Sequence, residues 1–150
     1  LESDFGTSVE VVKRFLNGGF PLAPNISFGI VDVRDVAQLH LLALESPHAS
    51  GNRFIASSET MAIPSISMVL REKIPEYKKK LPKGTAPNFL IKLLGLFSPL
   101  MKTVADQLGK TKELDNSKAK NILGWQPRSG EEAVVASAKS LIEFDIVKSP

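Results

Sequence analysis

The sequence contains no cysteine, so neither disulfides nor thiolate chemistry can contribute to the fold or to a site. It has only two histidines, His40 and His48, and no cluster of carboxylates, so we expect no dedicated metal site. No apolar run approaches the ~20 residues that a membrane-spanning helix requires. These absences lead us to expect a cytoplasmic protein that is neither a metalloprotein nor inserted in a membrane.

Positive charge is concentrated in one segment, Lys78-Lys79-Lys80 with Lys83, within a chain of net charge +3. These lysines lack the interleaved arginines and aromatic residues that are typical of nucleic-acid surfaces, and such runs usually form a solvated face. We therefore expect no nucleic-acid partner. A scaffold that uses residues 78–83 on an anionic partner is the weakest of the alternatives.

Apolar residues recur at helical spacing over much of the 150-residue chain, which is one domain by length. The predicted helices run from Thr7 or Ser8 to Asn17, from Asp35 to Ser46, from Pro64 to Lys73, from Pro87 to Phe97 with another turn or two over 99–105, from Asn116 to Leu123, and onward from Ser129. Asp35 is predicted to cap the second helix, because its carboxylate would accept from free amides at the positive end of the helix dipole. Ser129 and Glu132 have the spacing of a capping box.

Three short segments are predicted to be strands, over residues 27–33, 52–56 and 77–81. No hairpin turn joins them, and two or three separated strands make a poor sheet on their own. The first two also carry apolar residues on both alternating faces, a pattern expected when both faces of a sheet are covered. The sequence therefore predicts an α/β fold with more helix than strand, whose sheet has further strands elsewhere.

Three motifs lie in a fixed order along the chain. They are GTSVEVVKRFLNGG at 6–19, FGIVDVRDVAQLHLLAL at 28–44 followed by GNRFI at 51–55, and LDNSKAKNILGWQPRS at 114–129. Together they resemble the C-terminal half of extended short-chain dehydrogenases/reductases, and most of all the dihydroflavonol-reductase, cinnamoyl-CoA-reductase and aldehyde-reductase branch. The resemblance implies that residues 1–150 form a single C-terminal substrate-binding region. This would be the mostly helical, substrate-side part of a doubly wound Rossmann-type fold, without its N-terminal dinucleotide-binding half.

The resemblance also implies a parent enzyme that reduces an aldehyde or ketone with NADP or NAD. Such enzymes bind the dinucleotide at a glycine-rich strand-to-helix turn and use a tyrosine with a lysine four residues later. Here no closely spaced glycine fingerprint occurs, and the only tyrosine, Tyr77, is followed four residues later by Leu81. We therefore assign no catalytic, cofactor-binding or metal-binding residue, and expect the isolated chain to be inactive and to bind no cofactor.

Substrate contacts are expected just before the VDVRDV segment, where related reductases line part of their pocket. The corresponding residues are Ile26, Phe28 and Gly29, and Gly29 would leave room where some relatives place a polar group. Ile26 and Phe28 fit equally well as ordinary core residues. The expected partners are a carbonyl substrate and the missing N-terminal Rossmann half, with self-association through an open sheet edge as a further expectation.

Other polar and aromatic residues have two interpretations each. Asp32 and Asp35 could form a pair of catalytic carboxylates, but helix capping and local hydrogen bonding are favoured. His40 is expected on the inward side of its helix as a packing residue rather than a base, and Trp125 as a packing anchor rather than a stacking platform. A non-catalytic ligand-binding or interaction module derived from the family remains the alternative function.

Overall fold

The computed structural model describes residues 7–150, which form helices around one short antiparallel ribbon. The helices are α1 (Thr7–Leu16), α2 (Val33–Glu45), α3 (Ile63–Lys73), α4 (Asn88–Gly95), α5 (Pro99–Gln107), α6 (Ser117–Leu123) and α7 (Gly130–Glu143), with a 3₁₀ turn at Pro75–Tyr77. The strands are β1 (Ser27–Ile30) and β2 (Glu59–Ala62), which pair with Ser27 opposite Ala62. The predicted α/β class with more helix than strand is confirmed. In the described part of the chain, every helix is too short or too polar to cross a membrane.

The larger of two hydrophobic cores lies where α1 and α3 both pack against α7. Its apolar residues recur at helical spacing, so each of these helices buries one face. Among its members are Val12, Phe15, Leu16, Ile26, Ile63, Ile66, Leu70, Ile74, Tyr77, Leu81, Val134, Ala138, Leu141 and Val147. The larger core holds the start of β1 in position, because Ile26, the residue that precedes the strand, belongs to this core.

A second, smaller core joins α2 to α6 around Trp125. The Trp125 side chain has no exposed surface, and its indole Nε1 donates a 2.9 Å hydrogen bond to the backbone oxygen of Asp35. A buried indole needs such an acceptor, and here the acceptor is a helix carbonyl. The packing interpretation of Trp125 is therefore confirmed.

The strands differ from their predicted bounds. β1 ends at Ile30 rather than at residue 33, because Asp32 already starts α2. Residues 52–56 form no strand in the described chain, whereas β2 at Glu59–Ala62 was not predicted. The sequence ETMA lacks the apolar alternation that marks a strand, so its pairing with β1 depends on tertiary context.

The predicted strand over 77–81 is wrong, since this segment is the end of a 3₁₀ turn and a following turn. Leu81 N donates to Tyr77 O at 3.3 Å, and both side chains are buried in the larger core. Tyr77 and Leu81 are four residues apart, a spacing that also places two side chains on the same side of a helical turn. A turn therefore buries both residues here without a strand.

Asp32, not Asp35, caps α2, which corrects the predicted cap by one turn. Asp32 has β-region dihedrals, and its carboxylate accepts from Arg34 N at 2.9 Å. His40 is exposed rather than inward, and its Nδ1 lies 2.8 Å from Val36 O in the preceding turn. The predicted cap at Thr7 or Ser8 falls outside the described side chains.

The C-terminal helices follow their predicted signals more closely. Ser129 and Glu132 form the expected capping box at the start of α7, and Gly124 ends α6 in the left-handed conformation with φ 66°. Asn116 stands at the start of α6 but does not cap it. Its side-chain amide donates to the carbonyl oxygens of Ser57 and Ser58, at 2.6 and 3.1 Å, and ties α6 to the segment before β2.

Candidate functional site

The predicted substrate residues Ile26 and Phe28 lie two positions apart but in different surroundings. Ile26 is 7% exposed within the larger core, and its backbone oxygen accepts from Ile63 N at 2.9 Å. Phe28 stands opposite Met61 in the β1–β2 ribbon, and 40% of its surface is exposed. Of the two, only Phe28 presents a side chain that a ligand could contact.

The space above Gly29 is filled by the chain itself. A Cβ built on Gly29 would collide with Leu114 Cδ1 and would lie 2.9 Å from Ser57 Oγ. The Leu114 side chain therefore occupies the space above Gly29, and a larger residue would require Leu114 and Ser57 to move. The room expected at Gly29 is taken by Leu114, which lies 85 positions away in the sequence and carries no local pattern that would place it there.

Leu114 reaches the ribbon because residues 109–114 are tied along it. Gly109 N donates to Asn25 O at 3.1 Å, just after α5, and Thr60 Oγ1 donates to Lys112 O at 3.0 Å. Leu114 is 40% exposed, like Phe28. Leu114 nevertheless covers the face of the ribbon that Gly29 and Thr60 share, whereas Phe28 and Met61 lie on the other face, because successive side chains of a strand alternate. The candidate site is therefore the exposed part of Phe28, without Leu114.

The carboxylate of Asp32 is neutralised by its own neighbour. Arg34 donates to it through Nε at 2.8 Å and Nη2 at 2.6 Å, in the bidentate geometry that makes such pairs strong. The Arg34 guanidinium lowers the pKa of Asp32, and the Arg34 backbone amide lowers it further. A carboxylate held ionised by a cap and an arginine is poorly suited to act as a proton donor.

Asp35 pairs with a different arginine from Asp32 and has a different structural role. It is 2% exposed, accepts from Arg128 N at 2.9 Å, and pairs with the Arg128 guanidinium. The same residue offers its backbone oxygen to Trp125. Asp35 therefore fastens the link between α6 and α7 to the start of α2. This placement favours the structural interpretation of both carboxylates.

Tyr77 occupies the larger core, with 3% of its surface exposed. Burial raises the pKa of its phenol, and the charges of Glu76 and Asp145 raise it further. A tyrosine that passes a proton in carbonyl reduction needs the opposite shift, from a nearby cation in an accessible site. The placement supports leaving Tyr77 out of catalysis.

The residues that the structure describes do not fit a dinucleotide pyrophosphate. The glycines with positive φ are Gly18, Gly51, Gly109 and Gly124, and none of these stands at the start of a helix. The start of α7 is occupied from within, since Gly130 N donates to the Glu59 carboxylate and a Cβ there would lie 2.6 Å from Met61 Sδ. Within residues 7–150 there is also no group of three or more side chains suited to hold a metal ion.

An open cleft of about 400 Å³ lies away from the predicted residues. It is bordered by α7, by the start of α2 and by the last turn of α3. Its basic residues are Arg34, Lys73, Arg128 and Lys139. Three of them already pair with Asp32, Glu131 or Asp35. Because three of its four cations already have carboxylate partners, the cleft offers an anionic ligand little beyond Lys139.

Comparison with known proteins places these features in a family. No family model matches the chain. The chain is 30% identical over 97% of its length to the NADPH-dependent methylglyoxal reductase of Saccharomyces cerevisiae, and 32% identical over 75% to a cinnamoyl-CoA reductase of Medicago truncatula. It spans 38% and 37% of their lengths. The solved yeast methylglyoxal/isovaleraldehyde reductase complexed with NADPH matches 93% of the chain with a TM-score of 0.67 and 27% identity, over 36% of its own chain.

These likenesses confirm the resemblance found in the sequence. The chain belongs to the short-chain dehydrogenase/reductase family. Within it, the chain corresponds to a part, just over a third, of the reductases that act on methylglyoxal and cinnamoyl-CoA.

Proposed function

We propose that the chain is the C-terminal, substrate-side part of an extended short-chain reductase that uses NADPH to reduce an aldehyde or ketone. The observation that carries the proposal is the 30% identity to the NADPH-dependent methylglyoxal reductase over 97% of this chain but 38% of that enzyme. An N-terminal dinucleotide-binding half would supply the cofactor site and the catalytic tyrosine and lysine. The absence of cysteine supports a reducing, cytoplasmic location.

The contribution of this chain would be to bind the part of the substrate that does not react. Phe28, with 40% of its surface exposed, offers apolar contact to such a group. Binding energy from non-reacting groups orients a substrate and contributes to the rate when it is realised in the transition state. Ile26, in contrast, would act through the position of β1.

The proposal is tested by a chimera, defined here as the yeast methylglyoxal reductase with its matched 38% replaced by this chain. The chain alone should oxidise no NADPH with any aldehyde or ketone, whereas the chimera should reduce carbonyls with a substrate preference that differs from the yeast enzyme's. NADPH oxidation at 340 nm across a panel of aliphatic and aromatic carbonyls measures both.

A matched pair of variants tests the site within the chimera. Phe28→Ala should raise KM for apolar substrates, whereas Met68→Ala, at a comparably apolar but distant surface position of α3, should not. A chimera that binds NADPH but reduces nothing would favour the non-catalytic module instead. Turnover by the isolated chain would contradict the proposal that the N-terminal half supplies the cofactor site and the catalytic residues.

A further inference from the structure

Helices α4 and α5 pack against each other as a hairpin that is fastened at both ends. Before α4, the amide of Ala86 donates to the carbonyl of Ala23 at 2.7 Å, and after α5 the amide of Gly109 donates to the carbonyl of Asn25 at 3.1 Å. The two helices approach closely, since a Cβ built on Gly95 would lie 3.3 Å from the backbone of α5. The hairpin is therefore a fixed part of the fold, and its outer face is a defined surface.

The outer face of α4 is apolar. Ile91 is the buried residue of this helix. At 100° per residue, Phe89, Leu93 and Leu96 lie on the side opposite Ile91, and they are 72%, 52% and 76% exposed. Phe97, which extends the same stripe, is 82% exposed. A surface helix of a globular protein normally turns its apolar stripe toward the core, and here much of the apolar surface is turned toward solvent.

Unpaired positive charge lies beside this stripe. Lys92 and Lys102 line an open cleft of about 430 Å³ between α4 and α5, which Leu96 also borders. Within residues 7–150, neither lysine forms an ion pair, and the cleft contains a single carboxylate, that of Asp106. Over residues 83–112 the sequence holds five lysines and one acidic residue, so the hairpin and its flanks are strongly basic.

An apolar stripe flanked by lysines matches the chemistry of an anionic bilayer surface. Apolar side chains enter the boundary between headgroups and acyl chains, while the ammonium groups remain at the level of the anionic headgroups. A protein partner fits this surface less well, because the cores of protein interfaces are depleted in lysine. The other exposed apolar surface differs in charge, since α2 holds no lysine and Glu45 directly follows its exposed Leu44.

We propose that the α4–α5 hairpin docks on anionic lipid bilayers, with α4 lying in the plane of the headgroups. A helix that lies on a bilayer needs no apolar run of ~20 residues, so docking agrees with the absence of any membrane-spanning helix among the described residues. The cytoplasmic leaflet carries anionic lipids of the required kind. The proposal goes beyond the proposed function and does not depend on it, because it uses only residues of the hairpin.

Sedimentation with lipid vesicles tests the contribution of charge. The chain, and the chimera defined above, should bind vesicles with about 30% phosphatidylserine, bind pure phosphatidylcholine vesicles weakly, and be released by salt. Lys92→Gln with Lys102→Gln should reduce the partition coefficient about 25-fold, since each lysine near an anionic surface contributes about fivefold. The control, Lys78→Gln with Lys79→Gln, removes the same charge from exposed positions outside the hairpin and should retain most of the binding.

Two added tryptophans test the apolar stripe in the chain itself. The single tryptophan, Trp125, has no exposed surface, so its emission reports whether the chain is folded and should not be quenched by lipid. On anionic vesicles with brominated acyl chains, the emission of Phe97→Trp should be quenched. The emission of Leu44→Trp, at an equally exposed position of α2, should not be quenched.

Four outcomes would overturn the proposal. The first is a chimera that binds NADPH but not anionic vesicles, and the second is binding by the chain alone, which would show that the remainder of a longer protein covers the hairpin. The third is binding that survives the loss of Lys92 and Lys102, or quenching confined to Leu44→Trp. The fourth is a lipid-independent dimer of the chimera that Phe89→Gln with Phe97→Gln dissociates, which would assign the stripe to a second copy. Because none of these readouts is turnover, failure of docking and failure of the proposed function remain distinguishable.

Discussion

Ile26 and Phe28 show how neighbouring residues of one motif divide between stability and binding. Ile26 is enclosed by the larger core and Phe28 is 40% exposed, so their truncations should have opposite consequences. Ile26→Ala should cost about 2–5 kcal/mol of unfolding free energy, as typical for a buried isoleucine. Phe28→Ala should cost less than about 1.5 kcal/mol and should act on substrate binding. Urea unfolding of both variants measures the difference, and equal losses would place Phe28 in the core after all.

Asp32 gives the chain a specific sensitivity to acid. Its pKa in the folded protein is lowered by Arg34, below the value of about 3.9 in an unfolded chain. A lowered pKa means that the stabilisation is fully present above about pH 5 and is lost as the pH falls through the folded pKa. Asp32→Asn should therefore destabilise the protein at pH 7, and the difference from wild type should shrink as the pH falls through the folded pKa of Asp32.

The measurement for Asp32 is the unfolding midpoint in urea at several pH values for wild type and Asp32→Asn. The control is Asp106→Asn, because Asp106 is exposed on α5 and forms no ion pair within the described residues. A constant difference between wild type and Asp32→Asn down to pH 2.5 would show that the cap, not the charge, carries the effect. At pH 7 the loss should be about 1 kcal/mol or less, because asparagine retains the cap and the Arg34 partner is 57% exposed.

At the scale of elements, Asp35 joins α2, α6 and α7. It lies in the first turn of α2 and holds the link between α6 and α7 through Arg128 and Trp125. Asp35→Ala leaves the Arg128 backbone amide without an acceptor, which should cost about 1–3 kcal/mol. Arg128→Ala should also destabilise the protein, because it leaves the buried Asp35 carboxylate without its cation. A double-mutant cycle in urea unfolding measures their coupling, and additive losses would show that the pair contributes nothing.

The helices could be predicted from the sequence because their signals are local. Periodic apolar residues, Gly124 and the Ser129–Glu132 box determine α6 and α7 within a few residues. The cap of α2 was displaced by one turn because Asp32 and Asp35 are equally good capping residues, and only Arg128, 93 positions away, occupies Asp35. Long-range contacts of that kind leave no local pattern.

The strands and the site depended on partners that are remote in sequence. β2 forms because it lies beside β1, about 30 residues earlier, and its own residues carry no strand alternation. The three predicted substrate residues follow from the resemblance and stay a prediction, whereas the packing at Gly29 could not be foreseen, because Leu114 is 85 positions away. Packing against residues remote in sequence thus decides which side chains of this motif remain exposed.

At the scale of the whole molecule, apolar side chains remain exposed on two helices. On α2, Val33, Leu41 and Leu44 are 71%, 60% and 83% exposed, at positions that share one face of the helix. On α4 and just after it, Phe89, Leu93, Leu96 and Phe97 are more than half exposed. Contiguous exposed apolar surface commonly marks a site of association.

We therefore expect the isolated chain to self-associate or to be only marginally stable, as the unpaired strands already suggested. Sedimentation velocity over a hundredfold range of concentration should show a rising weight-average mass. Leu41→Gln with Leu44→Gln should reduce this rise without loss of helix, because both side chains lie outside the two cores, and Phe89→Gln with Phe97→Gln tests the other helix in the same way. A monomer at every concentration, with slow amide exchange throughout residues 27–30 and 53–56, would show instead that the chain is self-sufficient.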